Sequence, residues 1–434
     1  MRLSDLPPFK VIAEAIDIIT SREKLKQTVA TPLYSNAFYL MLNTGVLAVF
    51  GFFFWMIVAR FYTEAEVGFS SAIISAISLL ALISMVGLNI SLVRFLPRAD
   101  KPQDLINSCY TLSGLISLAV AGVFLAGLGF WSPALAFVNQ HAIFALAFIV
   151  FTVLWTLSNM VDFTFAARRR AGFVLSKSII FSVLKLPLPI LFVLFFHTFG
   201  IVASWGIAAA VAVSVSIFLF LRRVQDSYKP RPTLKLNLLK GMWRYSGGNY
   251  LANLFAGCPA FILPLMVVNV LGAEQNAYFY IGWMMAGLLF AIPRAISTSL
   301  FAEGSHFEGK LRENVTRSLK FSYLLLVPAV IVLIVAGKWV LLTFGQSYSA
   351  NALYLLWVLS VSSLPLAINS IYFTILRVTG RIKELMAIWG FIVLATLLVS
   401  YLIMPVTGII GIGYAWLGTQ AVVAIYVLAR RLSV

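Results

Sequence analysis

Four basic residues stand apart from the rest of the charge in this chain: Arg60, Lys185, Arg294 and Lys338. Each falls in or at the end of a long apolar run. A cation at membrane depth costs at least about 2.5–3.5 kcal/mol on insertion scales, so it faces a wet cavity or a partner. Lys185 sits near the middle of its run and is followed by Pro187 and Pro189, which should interrupt a helix. Arg294 directly follows Pro293. Arginine stays charged and presents a planar fork that matches phosphate oxygens two at a time. Such cations suit an anionic cargo, a phosphate or pyrophosphate. The one carboxylate near membrane depth is Asp162, a candidate partner for Lys185 or Arg294, and equally for Arg168 or Arg169. Arg60 reads as an interfacial anchor or a cavity residue, and Lys338 as a side chain that snorkels outward. Asn43, Asn89, Asn249, Asn253 and Asn369 are interhelical hydrogen-bonding groups or ligand contacts.

Enzyme chemistry finds no constellation here. His141, His197 and His306 are scattered without metal-ligand spacing, and Cys109 and Cys258 lie in apolar runs. The expectation is no catalytic residue, no metal and no cofactor. A membrane glycan polymerase would need a sizeable segment with clustered carboxylates, and the outer loops are too short for one.

The elements that position these residues follow from composition. The chain is 61% hydrophobic and 11% charged, with a mean hydropathy of +0.96. A soluble domain of 434 residues does not have that balance. Runs of about 20 apolar residues span a bilayer as helices, and a β-barrel would alternate instead. The pattern predicts an all-α polytopic membrane protein with twelve helices near 36–60, 70–93, 107–130, 142–166, 173–196, 201–221, 246–270, 277–301, 319–343, 352–376, 385–404 and 408–429. Residues 1–35 carry charges throughout, which argues against a cleavable signal peptide. Phe9 to Val29 reads as an amphipathic helix on the membrane surface.

Apart from the four residues above, the Lys and Arg, 28 of the 32, fall in the termini and the loops after even-numbered helices. The other loops carry Glu64, Glu66 and Glu274 instead. By the positive-inside rule both termini are expected to be cytoplasmic, in a cell membrane. The net charge of +17 then reflects topology and anionic lipid rather than nucleic acid.

The chain also repeats itself. Residues 36–223 lie over 245–431 at a nearly constant offset: Arg60 falls on Asn269, Asn159-x-x-x-Phe163-Thr164 on Asn369-x-x-x-Phe373-Thr374, Gly200-Ile201 on Gly408-Ile409, and Arg222-Arg223 on Arg430-Arg431. This predicts two parallel six-helix lobes, 36–223 and 245–434, joined by a basic linker at 224–244.

Three motifs resemble a known family: Arg60-Phe-Tyr-x-x-x-Glu66-Val-Gly68 after helix 1, Ser91-Leu-Val-Arg94-Phe-Leu-Pro97 after helix 2, and Phe344-Gly345-x-x-Tyr348 after helix 9. Together, in a duplicated twelve-helix frame, they are similar to the polysaccharide flippase (Wzx-like) branch of the multidrug/oligosaccharidyl-lipid/polysaccharide exporter superfamily. The resemblance implies a V-shaped pair of lobes around a cavity lined by helices 1, 2, 7 and 8. It also implies flipping of a polyprenyl-(pyro)phosphate-linked sugar to the outer leaflet. Arg294 and Arg94 fit the phosphate-binding role by helix position, while Lys185 lies outside the usual lining. The expected partners are the lipid-linked sugar and membrane lipids, with a monomer as the working unit. The rival of the same fold is a multidrug/toxin extruder, which would need a buried carboxylate in helix 1 or 7. A major-facilitator transporter would need a Gly-rich Asp-Arg loop where Arg94-Phe-Leu-Pro-Arg-Ala-Asp-Lys stands.

Overall fold

The computed structural model describes residues 32–226, 228–240, 242–304 and 311–430. The expected surface helix from Phe9 to Val29, and His306, lie outside them. Among the described residues, twelve helices are long and apolar enough to cross a membrane: α1 (Phe38–Phe61), α2 (Glu64–Ser84), α3 (Pro102–Ala126), α4 (Ala142–Ala167), α5 (Ala171–Leu194), α6 (Phe196–Val224), α7 (Ser246–Val270), α8 (Ala273–Phe301), α9 (Asn314–Leu342), α10 (Leu353–Val378), α11 (Ile382–Thr407) and α12 (Ile409–Ala429). Among the described residues there is no strand.

The second helix departs from expectation. It begins at Glu64 rather than near residue 70, because Thr63 and Glu66 form a reciprocal capping box at its start. It ends at Ser84, and a separate helix, Leu88–Phe95, continues toward the basic loops. The break lies at Val86 (φ 44°) and Gly87 (φ 79°). A Cβ on Gly87 would stand 2.7 Å from Ser246 Oγ of α7, so glycine permits both the left-handed backbone and the close approach. Tyr250 Oη of α7 donates to the Ile83 carbonyl at 2.8 Å, and Ser91 Oγ to the Met242 carbonyl at 3.2 Å. Apolar continuity hides this break in the sequence.

The two halves meet along α2, α7 and α8. At the end that carries Glu64, Glu66 and Glu274 the contact is tight. Gly68 of α2 touches Ala273 of α8 so closely that a Cβ there would fall 1.7 Å from the Ala273 carbonyl oxygen. Asn276 Nδ2 donates to the Gly68 carbonyl at 2.7 Å and to Ser71 Oγ at 3.1 Å. Phe52 meets Phe344 edge-on, and Trp55 lies against Tyr280. Residues of the first and third resemblance motifs thus supply contacts between the halves, and Ser91 of the second contacts the end of the linker.

The stretch between α6 and α7 is docked rather than loose. Tyr228 is buried and donates to Asn107 Oδ1 at 2.8 Å, and Asn107 Nδ2 donates to the Lys229 carbonyl at 3.0 Å. Lys235 pairs with Asp104 at 2.6 Å. Gln103, Asp104, Asn107, Ser108 and Thr111 hold this segment along α3.

Candidate functional site

Arg294 lies on the exposed face of α8, in the third nearest the basic loops. With Ser297, Thr298 and Phe301 it forms an i, i+3, i+4, i+7 stripe, the spacing that puts side chains on one helix face. A second such stripe comes from α10: Ser370, Phe373, Thr374 and Arg377. The stripes face each other across a cavity of about 370 Å³, closed by Ala256 and Gly257 of α7 and Trp389 of α11. Thr374 Oγ1 donates to the Ser297 carbonyl at 3.3 Å and sets the register. Arg294 sits one turn to one side of that bond and Arg377 one turn to the other. At 1.5 Å rise per residue their Cα atoms are separated by about 9 Å along the axes.

The cavity is cationic and rich in donors. No Asp or Glu lines it. Arg377 Nη2 donates to Asn253 Oδ1 of α7 at a long 3.5 Å. Among the described residues, Ser297 Oγ and Trp389 Nε1, both buried, have no hydrogen-bond partner. Buried donors without partners are costly, and an acceptor-rich ligand would satisfy them. The site can hold an anion with several oxygens between two forks.

The structure brings together only two of the residues expected from sequence: Arg294 in the cavity wall and Asn253 through Arg377. Arg94 projects from the Leu88–Phe95 helix, its guanidinium 5.9 Å from the Phe95 ring, and does not line this cavity. Asn43 of α1 and Asn89 each keep a buried Oδ1 without a partner, also outside it. Arg60 lies at the acidic end, donating to the carbonyls of Thr343 (Nε, 2.8 Å) and Leu342 (Nη2, 3.0 Å). Its work there is to join the halves. Lys185 is buried between the rings of Phe54 and Phe181.

The pairings expected for Asp162 do not form. Asp162 binds Lys177 at 2.6 Å, and Lys177 also donates to Ser158 Oγ at 2.8 Å. Lys177, read as a loop residue, lies within α5 and is buried, so the nearby carboxylate satisfies it. Arg168 instead donates to the Gln225 side chain. Arg377 is hidden for a similar reason: by charge pattern it belongs with the loop after helix 10, and the structure places it in the cavity wall. The signal was present in its i+4 and i+3 spacing from Phe373 and Thr374.

Residues 57–353 match the family described as polysaccharide biosynthesis protein. The chain belongs to that family. A Shigella flexneri protein that carries the name of an O-antigen transporter is 22% identical over 222 residues, covering 48% of this chain and 53% of the relative. The chain thus spans about half the length of the curated relative it matches. Solved structures share the fold. An inward-facing multidrug resistance MATE family transporter of the MOP superfamily superposes with a TM-score of 0.67 at 15% identity, covering 88% of this chain and 92% of that one. The lipid II flippase MurJ in an inward closed conformation gives 0.69 at 14%, covering 91% and 87%. A MOP superfamily transporter from Pyrococcus furiosus gives 0.62 at 15%, covering 91% and 94%. The chain is an all-α, twelve-helix, two-lobe membrane protein of this fold.

Proposed function

We propose that this protein is a flippase that moves a polyprenyl-(pyro)phosphate-linked oligosaccharide from the cytoplasmic to the outer leaflet by alternating access. One observation carries the reading. Arg294 and Arg377 share a cavity whose walls hold no carboxylate. Two arginines whose Cα atoms are offset by about 9 Å along the helix axes can reach a diphosphate from either side, and the unpartnered donors of Ser297 and Trp389 suit its remaining oxygens. The family and the names of the O-antigen transporter and the lipid II flippase support the same reading, while the multidrug names among the solved structures fit an extruder of the same fold.

The positive-inside rule puts the basic loops and both termini in the cytoplasm. Residues 36–223 and 245–434 are then the moving lobes, and the docked segment at 224–244 joins them. The contacts at the acidic end form the closed outer gate, and the cavity sits on the cytoplasmic side, where a lipid-linked sugar is made. The chain acts as a carrier rather than an enzyme, and as a monomer. A multidrug extruder of the same fold would bind cations, for which this cavity has the wrong sign.

Transport of a fluorescent polyprenyl-diphosphate-linked sugar in proteoliposomes tests the reading. Arg294→Ala and Arg377→Ala should each abolish flipping while the protein remains folded and monodisperse, and Arg294→Lys should retain part of it. Full flipping by a folded double alanine variant rejects the site.

A further inference from the structure

The segment between α6 and α7 carries a pattern that the transport site leaves unused. On α3, Asp104, Asn107, Ser108 and Thr111 follow an i, i+3, i+4, i+7 spacing, so they share one helix face. All four engage the segment. Asp104 accepts from the Lys235 ammonium at 2.6 Å, and Asn107 Oδ1 from the Tyr228 hydroxyl at 2.8 Å. Ser108 Oγ accepts from the Lys235 amide and Thr111 Oγ1 from the Thr233 amide, each at 3.1 Å.

Depth gives these bonds their purpose. Thr111 lies about 13 Å along α3 from its start at Pro102. The same helix face continues as Leu115 and Leu118, exposed apolar side chains on a helix that packs on α2 and α4, so this face looks into lipid. Non-helical backbone beside lipid needs its amide hydrogens satisfied, and two hydroxyls of α3 satisfy those of Thr233 and Lys235. The segment therefore lies along α3 at the boundary between headgroups and acyl chains, the depth at which amphipathic interfacial segments sit.

Its outward side is amphipathic in the same sense. Leu234, Leu236 and Leu238 are 46%, 56% and 37% exposed, while Leu239 turns inward and is buried. With Lys101, Lys235 and Asn237 the three leucines line a groove of about 390 Å³. Residues 98–104 and 226–240 together hold six basic and three acidic side chains, so the surroundings keep a positive surplus after Asp104 has neutralised Lys235. Leucines suit acyl chains, and lysines reach outward to phosphates. A zwitterionic headgroup brings its own cation against these lysines, whereas an acidic headgroup brings none. We propose that this groove docks an acidic phospholipid of the leaflet at the basic end, its phosphate beside Lys101 and Lys240 and its acyl chains along Leu234, Leu236 and Leu238. Bound there, the lipid fastens the link between the halves to the first half. The site stands whether or not the chain carries the proposed cargo.

A fluorophore on Asn237→Cys, an exposed position in the groove that leaves the leucines in place, tests this in a background lacking Cys109 and Cys258. The protein is reconstituted in vesicles that contain nitroxide-labelled phosphatidylglycerol or, at equal mole fraction, nitroxide-labelled phosphatidylcholine. Phosphatidylglycerol should quench several-fold more strongly. High salt, or Lys101→Gln with Lys240→Gln, should bring the two lipids to equality. Lys235 stays in place because its pair with Asp104 holds the segment. If Asn237→Cys does not fold, the same label at the exposed Leu234 carries the test. Equal quenching by the two lipids in the starting protein overturns the proposal, as does a preference that survives both salt and the double substitution. Absence of quenching by either lipid overturns it in favour of a water-facing or protein-covered surface. Quenching that falls as protein density rises overturns it in favour of a second copy of the chain.

Discussion

Arg60 and Asn269 occupy equivalent positions in the two halves, and each reaches across to the other half. Arg60 at the end of α1 donates to the carbonyls that close α9, and Asn269 at the end of α7 bonds with Ser132 Oγ (2.9 Å) and the Ala134 amide (3.0 Å) just beyond α3. Because α9 repeats α3, these are two copies of one contact about a pseudo-twofold axis, the self-complementary interface of a symmetric pair. The side chains differ while the geometry is kept.

The paired contacts should act as gate latches. Removing both, in Arg60→Ala with Asn269→Ala, should shift the distance distribution between spin labels at Gln140 and Tyr354, exposed positions at the acidic ends of the two halves, toward the parted state, by roughly 1 kcal/mol per latch. Arg60→Lys should restore little, since one ammonium cannot serve two carbonyls in the geometry of the fork. An unchanged distribution in the double variant would remove the latch role.

Gly68→Ala places a methyl 1.7 Å from the Ala273 carbonyl oxygen, a backbone atom that has no rotamer to yield. The joined gate should become inaccessible without loss of the fold, because the clash lies between the halves. Disulfide trapping between cysteines at Thr63 and Ser347, which lie on opposite sides of the gate, should fall several-fold. Trapping at the wild-type rate would show that the helices slide apart at little cost.

Asp162 and Lys177 form a pair of a buried lysine and a half-buried carboxylate on which single and double substitutions differ. Asp162→Asn leaves the buried lysine unpaired and should cost about 3 kcal/mol, read as a large drop in thermal stability in detergent, and Lys177→Met should cost less. The double variant should recover most of the loss. Additive losses would mean that the pair is not coupled.

The segment at 228–235 should be protected from protease while Tyr228 holds Asn107. Burial pushes the Tyr228 phenol well above its usual range, so it stays neutral and keeps donating across accessible pH. Tyr228→Phe removes one neutral hydrogen bond, worth about 1 kcal/mol, and should speed trypsin cleavage after Lys235 about fivefold at any pH. A pH-dependent cleavage rate in the wild type would contradict this.

Transport should also fall with Arg377→Ala as steeply as with Arg294→Ala, even though Arg377 follows the charge pattern of a loop. Binding of inorganic pyrophosphate to the purified protein should weaken at least tenfold in each, and Arg377→Lys should recover part of it. Pyrophosphate binding unaffected by both changes would separate the cavity from anion recognition.

The sequence determined the twelve spans, the duplication and the charge-marked ends, because each depends on local composition. An apolar run of bilayer length must be a helix wherever it packs, and the basic loops mark one side of the membrane without reference to any contact. It also singled out Arg294 by depth alone. Only the tertiary structure decided the partners. Asp162 binds Lys177 rather than Arg168, Arg377 joins Arg294, and Arg60 bonds the carbonyls that close α9 rather than lining the cavity, since each depends on the register between helices far apart in the chain. The break at Val86-Gly87 belongs to the same class. Hydropathy runs through it unbroken, and it exists because α7 comes close enough to occupy the space that a side chain would need.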